Sequence, residues 1–164
     1  RVKLKERLAK IKDERKKNLV EKIAKQLNEL NENRVKHFAE FLDKLDKVVD
    51  RIISRTDKAA EKADVAAVRS AIDGAKAAIV TAREAVKVQA AKTYTVTVST
   101  EDKLKVDVGA ARKALHDDLA KVRDAVKAAR SAVHDAATAL AKVPRVDEDE
   151  DETATTPAGS TNTQ

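Results

Sequence analysis

Apolar residues recur every three or four positions in three long stretches of the chain, which is the spacing that places them on one face of an α-helix. The first row, or seam, alternates strictly between steps of three and four, as in a helix that packs along a partner helix. The second seam has smaller side chains, and the third is longer. In chain order the seams are Val35, Phe38, Leu42, Leu45, Val49 and Ile52; Val65, Val68, Ile72, Ala75, Ile79, Ala82 and Val86; and Leu104, Val108, Ala111, Leu115, Leu119, Val122, Val126, Ala129, Val133, Ala136, Leu140 and Val143. We therefore predict helices near residues 34–62, 65–91 and 100–143.

A weaker stripe of apolar residues precedes the first seam. It predicts a basic amphipathic helix over residues 1–33 that extends the first helix of the bundle. Residues 31–33, Asn-Glu-Asn, are a possible break, because an Asn side chain competes for nearby backbone hydrogen bonds. No Gly or Pro enforces a break there, so the helix is either continuous or kinked. The stripe consists of Leu4, Leu8, Ile11, Leu19, Ile23, Leu27 and Leu30.

Polar and β-branched residues mark the connections between the helices. Asp64 stands where a helix N-cap would accept hydrogen bonds from the free amides of the second helix. Residues 93–100 alternate with a period of two and are rich in β-branched side chains, so the second helix stops before them. Ser99 followed by Asp102 resembles a capping box that starts the last helix. Pro144 ends that helix.

Short connections force neighbouring helices to run antiparallel. The sequence therefore predicts an all-α fold, an elongated antiparallel three-helix bundle or coiled coil over residues 34–143. Aromatic residues are only 2% of the chain, and the alanine-rich seams suit closely approaching helices better than a wide interior. Residues 144–164 are predicted to be a disordered tail, acidic and rich in threonine.

The composition argues against several kinds of chemistry. Without cysteine, the chain has no disulfide framework, no thiolate metal site and no cysteine nucleophile. It has no glycine-rich phosphate loop, and no apolar run approaches the roughly 18 residues that span a bilayer. His116 and His134, each followed by an acid, would lie about 27 Å apart along a helix, so they cannot share a metal ion. We predict no catalytic residues, no metal, no cofactor and a protein that is not an enzyme.

Opposite charges gather at the two ends of the chain. Residues 1–17 hold nine Lys or Arg against three acids, a net charge of +6, and residues 144–164 hold one Arg against six acids, a net charge of −5. The basic start could contact an anionic membrane surface or nucleic-acid phosphates without sequence preference. The other interpretation is the solvated outer face of a coiled coil. The candidate polyanion-binding residues are Arg1, Lys3, Lys5, Arg7, Lys10, Lys12, Arg15, Lys16 and Lys17.

The acidic run, residues 147–152, could offset the basic start within one chain or between neighbouring molecules. Such a contact would help to order an assembly at low salt, where charges are least screened.

Residues 93–99 also admit two interpretations. The segment could be a simple crossover between two helices. Alternatively, the face of Tyr94, Val96 and Val98 could pair edge to edge with another subunit, because an unpaired strand exposes free backbone donors and acceptors. These three residues are therefore the candidate assembly residues.

Two stretches of the chain resemble a group of uncharacterised, exported helical proteins from small-genome bacteria of the candidate phyla. The first is Ala-Lys-Thr-Tyr-Thr-Val-Thr-Val at residues 91–98. The second runs from Ala-Leu-His-Asp-Asp at 114–118 through Val-Arg-Asp-Ala-Val at 122–126 to Ala-Val-His-Asp-Ala-Ala-Thr at 132–138. The resemblance covers residues 35–146. It implies a surface or envelope setting and carries no known activity.

The chain begins with Arg1 and contains no Met, so we expect the natural start codon to lie upstream. Removal of an export signal and trimming of the chain would each explain this. We predict a structural protein, secreted or on the cell surface, that self-associates through its helical seams into a homo-oligomer, a filament or a surface layer. The alternative is a polyanion-binding module that acts through residues 1–17. The sequence leaves the biological partner and the stoichiometry open.

Overall fold

The fold consists of long α-helices packed side by side. The computed structural model describes residues 12–144. In this range three α-helices are formed, which are α1 Glu14–Ala59, α2 Ala66–Ala90 and α3 Leu104–Ala141. Helix α2 runs antiparallel to α1, and α3 runs in the same direction as α1. The prediction of an all-α helical bundle is confirmed.

Two predicted segments fall mainly outside this range. The first part of the basic helix, residues 1–11, and the acidic tail beyond Pro144 lie outside the described residues.

Helix α1 is continuous through the possible break at residues 31–33. It begins behind Asp13, whose Oδ1 accepts a hydrogen bond from the Arg15 amide at 2.8 Å, as helix N-caps do. Asn31 is buried, and its side chain bonds to the carbonyl groups of Gln89 and Lys92 in other parts of the chain. Because these distant partners satisfy the Asn31 amide, it does not compete for the backbone bonds of α1.

The inward face of the first half of α1 differs from the predicted stripe. Leu19 and Leu30 are exposed over 54% and 44% of their surface, and the stripe is wrong at these two positions. Val20 and Asn31 point inward instead. The row that continues into the first seam passes through residue 31, which spacing of apolar residues alone could not reveal because Asn31 is polar.

The main core lies between α2, α3 and the second half of α1. Every residue of the second predicted seam is buried. Ala75 and Ala82 of α2, and Ala129 and Ala136 of α3, have no exposed surface. Side chains this small fill an interface at native density only where two helices approach closely.

The other half of the bundle contains an extended segment in place of a third helix. Residues 92–98 form neither helix nor strand. Their side chains alternate, with Tyr94, Val96 and Val98 buried and the threonines between them exposed. An extended chain advances about 3.3 Å per residue, against about 1.5 Å in a helix, so few residues suffice to cover this half. The buried three form a second core with Val20, Ile23, Leu27 and Leu115.

A polar layer of Asn31, Gln89, Tyr94 and Asp118 lies between the two cores. Gln89 Nε2 donates to Asn31 Oδ1 and to the Tyr94 hydroxyl, both at 2.8 Å. The Tyr94 hydroxyl donates to Asp118 Oδ2 at 2.8 Å. Asn31 Nδ2 donates to the carbonyls of Gln89 and Lys92 at 3.2 and 3.3 Å, at the end of α2. In residues 12–144, every buried side-chain nitrogen or oxygen has a hydrogen-bond partner.

Bonds from side chains to the backbone hold both connections. Asp64 Oδ1 accepts a hydrogen bond from the Ala66 amide at 2.9 Å, as predicted for the start of α2. The predicted capping box of Ser99 and Asp102 is wrong. The Ser99 amide and hydroxyl donate to Asp107 at 2.7 and 3.0 Å, because a 3-10 turn precedes α3 and the first turn of α3 itself faces Ser99.

Candidate functional site

Four of the nine predicted polyanion-binding residues lie in the described part of the chain, at the start of α1. Lys12, Arg15 and Lys16 are exposed, and Lys17 is half-buried. The positive end of the helix dipole of α1 adds to their charge. The other five, Arg1, Lys3, Lys5, Arg7 and Lys10, lie outside the described residues.

Two of these four cations are paired with carboxylates. Lys16 Nζ lies 2.7 Å from Glu101 Oε1, and Lys17 Nζ lies 2.6 Å from Glu14 Oε1. Glu101 also accepts a hydrogen bond from the Lys12 amide at 3.2 Å. The bond from Lys16, followed by that from Lys12, lowers the pKa of the Glu101 carboxyl. The fold therefore neutralises part of the positive charge that the sequence places at this end.

The structure brings together two candidate sites that the sequence presents separately. Val96 and Val98 of the extended segment pack with Val20 and Ile23, just inside the basic start of α1. The Lys16 and Glu101 pair links the basic start of α1 to the 3-10 turn that follows the extended segment, across 85 positions of sequence. Sequence spacing could not indicate this contact, because it depends on how far the extended segment reaches along α1.

The three predicted assembly residues, Tyr94, Val96 and Val98, are buried within the chain. Asn28 fixes the position of the segment by bonding to the Tyr94 backbone twice. Its Oδ1 accepts from the Tyr94 amide and its Nδ2 donates to the Tyr94 carbonyl, each at 2.8 Å. The segment thus serves as the crossover between α2 and α3, and its pairing with another subunit stays a prediction.

A small ionisable cluster surrounds Asp118 at the edge of the polar layer. Asp118 Oδ2 accepts from the Tyr94 hydroxyl and lies 2.9 Å from Lys92 Nζ, and Lys121 Nζ is 3.7 Å from Oδ1. The hydrogen bond from Lys92 lowers the pKa of the Asp118 carboxyl, and burial raises the pKa of the Tyr94 hydroxyl. An ionised carboxylate and a neutral phenol are both far from the near-neutral pKa that acid-base catalysis favours. The geometry is that of a structural network.

The histidines show no such grouping. His37, His116 and His134 are all exposed on the helices. In residues 12–144 no group of three or more metal-ligating side chains could hold a metal ion. The expectation that the protein is not an enzyme and needs no cofactor stays a prediction.

A basic groove lies at the end of the bundle opposite the basic start of α1. The groove was not predicted from the sequence. It lies between the last turns of α1 and the end of α3, with Leu140 and Val143 of the α3 side on its floor. Four exposed cations form its rim. Arg51, Arg55 and Lys58 lie on α1 at steps of four and three, which place them on one helix face, and Lys62 lies in the turn that follows α1. That spacing is the signal that could have found them. The rim cations are Arg51, Arg55, Lys58 and Lys62.

Exposed apolar side chains form an outer stripe on α1. Leu19, Leu30 and Val48 are three of the six large apolar residues that are exposed in the described part of the chain. At about 100° per residue, helical geometry places the three within about 20° of one another. Their row extends roughly 43 Å along the helix. None of this was visible in the sequence as a separate face, because Leu19 and Leu30 were part of the predicted inward stripe.

These features define the protein as an all-α helical bundle with a basic start, a basic groove and an outer apolar stripe. Comparisons with family models, with curated proteins and with solved structures find no match to the chain. None of the helices in residues 12–144 is long and apolar enough to cross a membrane. A function has to be inferred from the surfaces of the molecule itself.

Proposed function

We propose that the protein is a non-enzymatic structural protein whose copies associate side by side through the outer stripe of α1. The observation that supports this is the alignment of Leu19, Leu30 and Val48 on one helix face. Single exposed apolar residues are ordinary, whereas an aligned row is a typical feature of interaction surfaces. As part of the same proposal, this assembly belongs at the cell surface or envelope, which the resemblance to exported helical proteins supports.

The form of the assembly depends on what the stripe contacts. Two stripes that face each other make a closed dimer. Helix α2 also exposes large apolar side chains, Val80 and Val88. A stripe that packs on this second surface makes a contact between unlike faces, which can grow into a filament or layer.

Light scattering over a range of protein concentrations tests the proposal. The average mass should rise with concentration in the unchanged chain. Leu30→Ser should weaken association at least tenfold, because each leucine that a contact buries contributes on the order of 2 kcal/mol. The matched control is Val106→Ser on α3, which removes an exposed apolar side chain away from the stripe and should change little.

The outcomes separate the alternatives. Loss of growth in Val88→Ser as well as Leu30→Ser would indicate an open-ended assembly, and loss in Leu30→Ser alone a closed one. A chain that stays monomeric at every concentration, or equal effects of Leu30→Ser and Val106→Ser, would rule out the stripe as the interface.

A second candidate function is weak binding of polyanions through the basic start of α1. Lys12 and Arg15 favour it, since their side chains pair with no carboxylate of the described residues. Binding should fall steeply as salt rises, because released counterions drive it.

Titration of duplex DNA at several salt concentrations measures this. Lys12→Gln with Arg15→Gln should make binding less dependent on salt. The slope of the logarithm of the binding constant against the logarithm of the salt concentration should fall in magnitude by about 0.9 for each DNA phosphate that the variant no longer neutralises. The control pair, Lys22→Gln with Arg34→Gln, removes the same charge further along α1. Binding that ignores salt, or that the two pairs reduce equally, would contradict this function.

A further inference from the structure

The basic groove lies where the chain leaves the described part of the structure. Pro144, the last described residue, lines the groove next to Val143. The four rim cations pair with no carboxylate of the described residues. Glu61 is the one acid among the described residues that line it. The groove thus presents unpaired positive charge above an apolar floor.

The chain that follows Pro144 carries the complementary charge. Residues 147–152 are six consecutive acids, and they begin three positions beyond Pro144. Eight residues of extended chain reach at most about 29 Å. The helical part of the rim, from Arg51 to Lys58, is about 11 Å long, and Lys62 follows in the next turn. The acidic run is therefore long enough and near enough to lie along the whole rim.

Charge also selects the groove over the depression on the other side of Pro144. That depression lies between α2 and α3, and its charged lining is Asp64, Asp135 and Lys142. Two acids against one cation give it a net negative charge, which repels an acidic chain. A chain that leaves Pro144 is attracted on the α1 side and repelled on the α2 side.

The basic start of α1 is out of reach of the same acidic run. Helix α1 is about 68 Å long, and its start lies at the end of the bundle opposite Pro144. This length is more than twice the reach of residues 145–152. A contact between the acidic run and Lys12 to Lys17 would therefore join two molecules, whereas the basic groove is accessible within one.

We propose that the acidic run, residues 147–152, docks on the basic groove of its own chain. Its carboxylates pair with the four rim cations, and the residues next to Pro144 lie over the apolar floor. The occupant is this segment because its attachment at the groove gives it a high effective concentration.

Paramagnetic relaxation enhancement in the full chain tests the docking. The chain contains no cysteine, so Thr153→Cys carries a single nitroxide label just after the acidic run. At low salt, enhancement should be several-fold larger for the amides of residues 51–62 than for those of residues 66–76, which lie at the same end of the bundle on α2. Raising salt from about 0.01 M to about 1 M shortens the Debye length from about 30 Å to about 3 Å and should remove the preference.

Charge reversal supplies a matched comparison. Arg55→Glu with Lys58→Glu should abolish the preference for residues 51–62. Lys22→Glu with Arg34→Glu changes the charge equally on the same helix, far from the groove, and should retain it. Circular dichroism establishes that both variants are folded, and the salt response of the unchanged chain provides a test that needs no variant.

Mixing separates docking within a chain from docking between chains. Isotope-labelled chains without the nitroxide are combined with nitroxide-labelled chains that are invisible to NMR. The proposal expects no enhancement at residues 51–62 in this sample. Enhancement there would assign the contact to a second molecule, and equal enhancement of α1 and α2 in the singly labelled chain would show no docking; either result overturns the proposal. The test does not depend on the outer stripe, because it is read at concentrations where the chain is monomeric.

Discussion

Asn31, Gln89 and Tyr94 fix the point where α2 gives way to the extended segment. Each is buried, and each forms a side-chain hydrogen bond with another of the three. Asn31 also donates to the Gln89 carbonyl at the end of α2. From the sequence, Asn31 indicated a possible break in the helix. Residue type alone does not show whether an Asn side chain bonds to its own backbone or, as here, to a carbonyl 58 positions away. The role of a buried polar residue is set by tertiary contacts.

Removal of the Tyr94 hydroxyl should therefore destabilise the whole bundle. Tyr94→Phe deprives Gln89 Nε2 of one acceptor and Asp118 Oδ2 of one donor. The expected cost in the free energy of unfolding is about 1–3 kcal/mol, because a buried polar group left without its partner loses more than the bond itself. Urea denaturation followed by circular dichroism measures it.

A double-mutant cycle with Gln89→Leu separates the bond from general effects on packing. The two substitutions together should cost less than the sum of the single ones, with a coupling of about 0.5–3 kcal/mol. Strict additivity would mean that the hydroxyl and the amide act independently, contrary to the hydrogen-bond geometry.

At the scale of elements, the strictness of the apolar spacing decided what could be predicted. The second seam is buried at every predicted position because each step of three or four returns to the same face. The alternation of residues 93–100 correctly predicted that the helix stops there. It did not indicate that residues 92–98 lie against both α1 and α3, because a period of two fixes which side chains share a face and leaves the partner unspecified.

The surface features were harder to predict from the sequence than the core. The rim cations of the basic groove carry a helical spacing that is visible in the sequence. The groove itself needs α3 to end beside α1, and that alignment follows from the lengths of α2 and the extended segment. The outer stripe has a similar origin, since Leu30 could be assigned to the exposed face only once Asn31 was known to point inward.

At the scale of the whole molecule, the polar layer should make stability depend on pH in acid. The hydrogen bond from Lys92 lowers the pKa of Asp118 in the folded state, whereas the pKa of an aspartate carboxyl in the unfolded chain is about 3.9. The folded chain thus binds fewer protons, so this stabilisation is present above about pH 4 and is lost as pH falls through the folded pKa.

Asp118→Asn should accordingly be less stable than the unchanged chain near neutral pH, and the difference should shrink towards about pH 2. Urea midpoints at a series of pH values measure the convergence. Asp73→Asn removes an exposed carboxylate of α2 and is the control. Its stability relative to the unchanged chain should not vary with pH. If the urea midpoints of Asp118→Asn and the unchanged chain still differ equally at low pH, the carboxylate stabilises the fold through its shape and not through its charge.

The extended segment also has a mechanical consequence. A helix under tension can more than double its length, from about 1.5 Å to about 3.3 Å per residue. Residues 92–98 already run extended, so they have almost no length in reserve. They form a taut tether between the end of α2 and the start of α3. If the bundle is pulled along its axis, this segment cannot lengthen appreciably, so further length has to come from the helix turns at its two ends.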